Sequence, residues 1–535
     1  MSHLIRDRKN FLSVLVICCF ALVFIFSNWV GVVDDAYIFF RYAHNIRLGH
    51  GYVFNIGQPV EGATSVSWTL LLAALDVIHI PPESSVKILG TLCVLAILVV
   101  IGLHCGKSGI SGFSVLTVLA LLVFNKNFLL SIMLGLETGL YALLLLIFCV
   151  LIQRYMEQDD ASSSIALGGV GILLCLTRPE AAGILVLVGC GMVLFRSPHR
   201  KFLLTPIVIW IVGLLLVTIW RWATFGDFIP NSARAKSVLE FAHLRWSMIG
   251  PRLMAGSLYV WKWGSESGVL VLLGVVGFAG LRRWPFWMSA ACAALCVGVS
   301  VAVLNSGDWM PYSRLLTPYL PLVALLAVQG LHRLKLLFEK MRPRYFEFTT
   351  LLVVTAISAN MFWSLRGKAV FVLTPWPSGE CYRKVAQSLH PYLSGDTVVA
   401  PEAVGQVGYE LGNVPVLDFF GLTDSFIARN GVIPIETYTM GKHHYEYTMQ
   451  QKPALFIFHS DLNNHVPLLN AWGYSQQYET LRVVDAAAKC EVVVGIRNDL
   501  TSKITPVLAR DFFVESIDTR TLLKNAAATW PDGER

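Results

Sequence analysis

The densest chemistry in this chain lies in the run Val33-Asp34-Asp35-Ala36-Tyr37-Ile38-Phe39-Phe40-Arg41-Tyr42-Ala43-His44-Asn45. Two adjacent carboxylates stand here on the same short stretch as a guanidinium and an amide. A helix over Ala36–Leu48 puts Asp34, Ile38, Arg41 and Asn45 on one stripe, because positions three and four apart share a face. That stripe offers a carboxylate, a guanidinium and an amide to one ligand. The bland alternative is a solvated helix start, with both Asp residues complementing the helix dipole. The run follows an apolar stretch, Phe11–Val30, long enough to cross a bilayer. At the mouth of a membrane helix an acidic pair stays out of the lipid and can meet a substrate in the interface.

Other polar groups interrupt apolar sequence further along. Asn305-Ser306-Gly307-Asp308-Trp309-Met310-Pro311-Tyr312-Ser313-Arg314 sets an acid and a base around a tight turn. Asp308 suits sugar hydroxyls or a metal, and Arg314 suits a phosphate. Taken alone, an interfacial anchor explains the turn better, since Trp309 and Tyr312 belong at a membrane surface and Arg314 can snorkel. Thr177-Arg178-Pro179-Glu180 breaks a long apolar stretch. Proline accounts for the break, and a helix-hairpin ion pair is the plain account of Arg178 and Glu180. Asn231, Arg234 and Lys236 bring an amide and two cations to one loop, suited to an anionic ligand. Glu137 after Gly135 is a further lone acid, and Asp76 reads as a helix-end residue.

The elements that must position these groups follow from composition. Of 535 residues, 55% are apolar and 14% charged, against about a quarter charged in a soluble domain. Mean hydropathy is +0.60. These values and the repeated long apolar runs define a polytopic α-helical membrane protein with about 11–13 spans. Net charge is +7, but Lys and Arg sit mostly in short loops, so topology explains them and no nucleic-acid partner is expected. Arg6, Arg8 and Lys9 precede the first run, which reads as an uncleaved anchor.

Basic clusters at Arg6/Arg8/Lys9, Arg196/Arg200/Lys201, Arg282/Arg283 and Arg333–Arg344 should face the cytoplasm. Counting spans between them puts outside the Asp34-Asp35 loop (31–65), the Glu137 and Arg178–Glu180 turns, the Arg221–Ser265 loop, Asn305–Arg314 and everything after about 365. The chain divides at 364/365 into a membrane domain and a soluble domain, 365–535. Apolar runs at Thr397–Ala400, Val414–Leu417, Leu455–Phe458 and Glu491–Val494 suit buried strands. Helical stretches at 380–390 and 443–451 alternate with them, which suggests a small α/β layer packed on the membrane domain. The tail after about 515 is polar. Among the 11 cysteines, Cys381 and Cys490 stand apart from the apolar runs. In an extracytoplasmic domain they are either a disulfide or two unpaired thiols. No G-x-S-x-G elbow, Walker loop or HExxH occurs. A lipid-borne donor therefore suits a site on the outer face better than a nucleotide sugar.

Taken together these motifs resemble the GT-C membrane glycosyltransferases, and among them the terminal arabinofuranosyltransferases of bacterial cell walls. The resemblance is carried by Asp34-Asp35-Ala-Tyr-Ile-x-x-Arg41-Tyr-Ala-x-Asn45, Gly49-His-Gly-Tyr-Val-Phe-Asn55 and Val60-Glu61-Gly62-Ala-Thr64-Ser65. Gly135-Leu-Glu137-Thr, Thr177-Arg-Pro-Glu180, Pro230-Asn231 with Lys236, and Gly307-Asp308 to Arg314 follow in the same order. Gly405-Gln-Val-Gly408-Tyr and Val416-Leu-Asp418-Phe-Phe-Gly421-Leu-Thr-Asp424 match the C-terminal part. What it implies is transfer of a sugar, arabinofuranose above all, from a polyprenyl-phosphate donor to a glycan or glycoprotein acceptor. The reaction would run on the periplasmic face of the bacterial inner membrane. By the same resemblance Asp34 and Asp35 are the catalytic carboxylates. Arg41, Asn45, Glu61, Glu137, Arg178, Glu180, Asn231, Lys236, Asp308 and Arg314 become candidates for the donor's phosphate and sugar. Asp418, Asp424 and His444 are candidates near the acceptor, although His443 and His444 read more simply as two surface histidines on a helix. The resemblance leaves room for Mg2+ or Mn2+ on Asp34 and Asp35 and expects no nucleotide cofactor. The competing classes are a flippase of lipid-linked glycans and an O-antigen ligase or polymerase.

Overall fold

A computed structural model describes residues 2–27, 31–158, 160–194, 202, 204–236, 246–279, 285–339, 377–432, 441–459 and 465–518. The apolar segment 347–363, the proposed boundary at 364/365 and most of the polar tail lie outside the described residues. The membrane domain begins with α1 (Ser2–Ser27), α2 (Asp34–Arg47), α3 (Val66–Val77) and α4 (Pro82–Lys107). Next come α5 (Gly112–Val123), α6 (Lys126–Met133), α7 (Thr138–Gln158), α8 (Ala161–Thr177) and α9 (Ala181–Leu194). It continues through α10 (Thr205–Phe225), α11 (Asn231–Lys236), α12 (Trp246–Glu266), α13 (Gly268–Phe278), α14 (Phe286–Leu304) and α15 (Leu320–Glu339).

Local sequence explains many of the ends. Pro82 starts α4 at a position where no N–H is needed. Ser111 and Asp160 cap α5 and α8 with their side-chain oxygens. Gly226 closes α10 in the left-handed region, φ 66°. Five helical segments among the described residues are long and apolar enough to cross a membrane: Pro82–Lys107, Thr138–Gln158, Thr205–Phe225, Phe286–Leu304 and Thr317–Phe338. The pair α5 and α6 is bent by 55° and forms a sixth if counted as one span. Shorter apolar helices, Val14–Phe26 and α3, α8, α9 and α13, complete the bundle.

Two breaks within the bundle meet. Asn125 caps α6 through the N–H groups of Asn127 and Phe128, and its amide donates to Ser267 Oγ at 3.0 Å, between α12 and α13. Asn127 and Lys126 reach Glu266 at 2.6 and 3.4 Å. Backbone groups freed by a broken helix are thus met by side chains, as an apolar setting demands. The sequence reading placed Arg221–Ser265 in an outer loop. In the structure α10 runs on to Phe225, and α11 and the 21-residue α12 occupy much of the rest. Arg252, Lys262 and Pro251 had masked the helical pattern of α12.

The C-terminal domain adds α16 (Pro377–Leu389), β1 (Val399–Pro401), α17 (Val404–Glu410), α18 (Ser425–Asn430), β2 (Leu455–His459), β3 (Tyr478–Asp485), β4 (Cys490–Arg497) and β5 (Phe513–Ser516). Its sheet has the order β1-β2-β4-β3-β5. Only β1 and β2 run parallel; the other pairs are antiparallel. Val414–Leu417 is not a strand: Val416 makes a single parallel bridge to Val399. Cys381 and Cys490 form a disulfide with Cα atoms 5.9 Å apart, fastening α16 to β4.

The two domains share a core. Ala36, Phe40, Tyr42, Phe54 and Trp68 of the membrane domain are buried in one cluster with Val385, Val407, Leu455 and Val494 of the C-terminal domain. Burial of that kind holds α2 and its following loop firmly against the C-terminal domain.

Candidate functional site

α2 starts with both acids in its first turn and ends with His44 and Arg47 in its last, a charge order that favours the helix dipole at each end. Its polar stripe exists, but a ligand does not meet it. Asp34 accepts the backbone N–H groups of Gly405 and Gln406 at 3.0 and 2.7 Å, at the N-terminus of α17. Arg41 is buried and donates to the carbonyls of Phe54, Gly408 and Val414 at 2.8, 2.5 and 3.0 Å, and to Asn55 Oδ1 at 3.2 Å. Its guanidinium also sits 4.4 Å above the Phe54 ring. Asn45 donates to the carbonyls of Val53 and Phe54. Arg41 and Asn45, expected at the donor, instead hold the loop that follows α2, and Arg41 also holds the C-terminal region.

Asn231 ties α11 to the C-terminal region in the same way. Its amide donates to the carbonyls of Gly421, Leu422 and Asp424 at 2.8, 2.9 and 3.3 Å. Asp418 is fully buried and accepts the N–H groups of Phe420 and Thr423 and the Thr423 hydroxyl, so it organises a turn. Asp424 caps α18 through Ile427 N–H at 2.8 Å, and His444 caps the helix Tyr445–Gln450. Asp418 is thus bound up in its turn, while Asp424 and His444 each cap a helix through one side-chain atom. His443 precedes that helix and is buried, not a surface residue. Asp76 closes α3 and pairs with Arg47 at 2.8 Å.

The remaining candidates gather at the end of the bundle that carries the C-terminal domain. Asp35, from the same turn as Asp34, faces Lys236 Nζ of α11 at 3.5 Å. Asp308 and Arg314 pair at 2.7 Å across their turn. Burial raises the Asp308 carboxyl, but Arg314 and then Lys236 outweigh it and hold Asp308 below the usual carboxylate range. Burial works against the charge on Arg314, and Asp308, Glu137 and Asp35 more than restore it. These electrostatic links join Asp35, Lys236, Asp308, Arg314 and Glu137 into one rim. Arg178 extends it, bonding Glu137 at 2.8 Å and Glu180 at 3.5 Å. The ion pair expected for Arg178 and Glu180 is present, and Glu137 is its stronger half.

Backbone conformation concentrates strain at this rim. Ser306, Tyr312 and Ser313 have φ of 63°, 64° and 50°, and Gly307 has 86°. Non-glycine residues in that region cost of order 1–3 kcal/mol each and persist where packing over-determines them. Here the packing is Tyr259: a Cβ on Gly307 would lie 2.9 Å from its ring, and its hydroxyl accepts the Leu315 N–H at 3.1 Å.

Glu61 lies behind the first loop, buried, with Arg221 Nε 2.9–3.0 Å from both carboxylate oxygens. Burial pushes its carboxyl up to about 7 against the pull of Arg221. Asp34 is likewise pushed to about 7, by burial opposed by the Gln406 N–H. Both Asp34 oxygens accept N–H bonds, and among the described residues no three His, Cys, Asp or Glu side chains gather as metal ligands. The rim thus offers one half-buried carboxylate next to two cations, which suits proton removal beside a departing anion.

The fold, a helical bundle with a small C-terminal α/β region, is similar to that of a solved oligosaccharyltransferase. The solved oligosaccharyltransferase of Archaeoglobus fulgidus matches over 89% of this chain and 73% of its own, with TM-score 0.50 at 10% identity. ArnT from Cupriavidus metallidurans matches 90% of this chain and 97% of its own, with TM-score 0.49 at 13% identity. In sequence, the chain is similar to the terminal β-(1→2)-arabinofuranosyltransferase of Mycobacterium tuberculosis, 27% identical over 253 residues. That match covers 44% of this chain and 39% of the relative, so the chain spans well under half of the relative's length. Residues 375–501 match a family described as a domain of unknown function (DUF8728).

Proposed function

We propose that this chain is a glycosyltransferase that moves a sugar from a polyprenyl-phosphate donor to a glycan or protein-linked glycan. The sugar is arabinofuranose, by analogy with the mycobacterial relative. Asp35 takes the proton from the acceptor hydroxyl as general base. Lys236 and Arg314 neutralise the leaving phosphate through charge-assisted hydrogen bonds that strengthen as it departs. Asp308 fixes the Arg314 guanidinium, and Glu137, Arg178 and Glu180 line the sugar side. Asp34 stands beside the reaction as an anchor for α2.

The observation that carries this reading is the meeting of Asp35 with Lys236, electrostatically linked to Asp308 and Arg314, at one end of the helical bundle. Location in the bacterial inner membrane, with the C-terminal domain in the periplasm, is part of the proposal. The Cys381–Cys490 disulfide supports it, because such bonds persist in oxidising compartments. The test is transfer from synthetic polyprenyl-phosphate arabinofuranose to short glycan acceptors by the purified chain in detergent. Turnover that disappears in Asp35→Asn while lipid binding stays supports the reading; full turnover in Asp35→Asn sinks it.

A further inference from the structure

Of the five spanning helices, α10 is the least covered by protein, with 11% of its apolar stretch buried. Its exposed residues Val212, Leu215, Leu216, Ile219 and Trp222 recur at short helical spacings and form one face. On a helix that crosses a bilayer, acyl chains cover such a face. The face does not stop where the helix ends. The Trp222 ring lies parallel to that of Phe228, 5° between planes and 6.5 Å between centroids. Phe228 and Ile229, in the turn between α10 and α11, are 60% and 50% exposed.

Depth follows from helix length. The 21 residues of α10 rise about 31 Å, close to a hydrocarbon thickness of about 30 Å. Phe228 and Ile229 therefore stand at the lipid–water boundary, where exposed aromatic and apolar side chains are at home. The C-terminal domain reaches the same level. Arg429 of α18 meets Asp227, the neighbour of Phe228, at 3.1 Å. Asn231 holds the Gly421 and Leu422 carbonyls just ahead of α18. That helix buries Ile427 and Ala428 and exposes Phe426, Arg429 and Asn430. Phe426 shares the outer face with Arg429, three positions on, and its ring is held in place by stacking on Tyr447 at 4.1 Å.

Chemistry and continuity name the occupant of this patch. Its charges are matched, because Asp227 takes Arg234 at 2.8 Å as well as Arg429. Apolar surface remains, and it is continuous with a face that lipid already covers. Phe513 offers a contrast. It is more exposed than Phe426, but it lies on β5, at the sheet edge opposite β1. Four strand spacings put that edge about 19 Å from β1, whereas β1 leads directly to the Gly405 N–H that meets Asp34 of the bundle.

We infer that the C-terminal domain rests on the lipid leaflet through the Phe426 face of α18, which with Phe228 and Ile229 extends the lipid-covered face of α10. Seated in this way, the domain cannot turn on the bundle without drawing aromatic side chains out of the interface. The inference needs only that α10 spans the membrane and holds whether or not the chain transfers sugar. In the test, p-benzoylphenylalanine replaces Leu216, Phe228, Phe426, Asn430 and Phe513 one at a time in the full chain. Each protein is placed in phosphatidylcholine nanodiscs with radiolabelled acyl chains and illuminated, and lipid label per protein is counted. Leu216, on the spanning part of α10, sets the full yield. Phe228 and Phe426 are expected within about threefold of Leu216 and about tenfold above Phe513. Asn430 lies one turn on from Phe426 on the same face and has no ring stack to lose, so it should also label above Phe513. Label at Phe426 and Asn430 no higher than at Phe513 overturns the inference, because lipid would then stop at the bundle. Cross-linking from Phe426 into a second copy of the chain, with no lipid label, overturns it as well and gives the patch to a protein contact.

Discussion

Asp34 and Asp35 are neighbours in one helical turn, yet they belong to two regions with opposite hydrogen-bonding character. Asp34 continues into a seam with Arg41, Asn45 and Asn231, where every partner is a backbone atom or a fixed side chain. Asp35 belongs to the rim, where charges pair with charges. The Lys236 contact is long at 3.5 Å, and Arg314 is bonded through Nε alone among the described residues. A seam of saturated partners holds geometry and has nothing to give a ligand. Loosely matched charges keep donors in reserve and cost little reorganisation when an anion forms. The same residue types therefore carry different meanings according to what they already bind.

The comparison breaks most sharply on the acid pair itself. Asp35→Asn is expected to lower kcat about 10³-fold, since a positioned general base supplies about 10²–10⁴, with melting temperature unchanged. Equal losses in Asp34→Asn and Asp35→Asn would erase the distinction between seam and rim. Arg314→Gln comes next, with kcat down about 10²-fold, the order seen when one donor to a developing charge is removed. Donor KM should move much less, because the charge grows mainly in the transition state. Asp34→Asn is expected to lose about tenfold in turnover. It should also lose about 1–3 kcal/mol of stability, because an amide can accept only one of the two N–H bonds through its oxygen. Thermal unfolding in detergent checks the stability half.

Some of this was legible in residue order. The acid pair after the first apolar run, the Asp308–Arg314 turn and Lys236 stand out because charged residues rarely interrupt membrane sequence without a use. Cys381 and Cys490 stood apart for a similar reason. The role of Arg41 was not legible: its partners Gly408 and Val414 lie 367 and 373 positions away, and they are backbone carbonyls with no signature. Helical spacing found the stripe but not what covers it. Strand β3 escaped because Glu479 and Arg482 interrupt its apolar residues, whereas the runs chosen as strands were continuous. Val414–Leu417 looked like such a run, yet only Val416 bridges to β1, while Val414 and Val416 serve Arg41 and Asn55. His443 was passed over as a surface residue, because nothing in His-His-Tyr-Glu shows that Phe419 and Phe420 fold over it.

The smallest effect concerns pH, and it tests whether burial at the seam has the consequence its geometry implies. Asp34 and Glu61 are pushed to about 7 and Asp418 to about 6, burial being the first cause in each. In the unfolded chain these groups titrate near about 4. Between those values the folded protein holds protons that the unfolded chain has released. Stability contributed by proton uptake is therefore greatest below about pH 4, declines as pH rises towards 7, and is flat above it. Carboxylates such as Asp308, held below the usual range, give the opposite slope on the acid side. Melting temperature in detergent should accordingly fall by a few degrees between pH 5 and pH 7, about what a kcal/mol-scale change produces. Asp34→Asn removes one of the three groups and should flatten part of that fall. A profile that rises through the same window, or one that Asp34→Asn leaves untouched, would mean that the α17 N–H groups hold Asp34 ionised throughout. The seam would then be an ion-dipole clamp at every physiological pH, tightening the distinction from Asp35, whose partner is a lysine side chain 3.5 Å away and not a helix end.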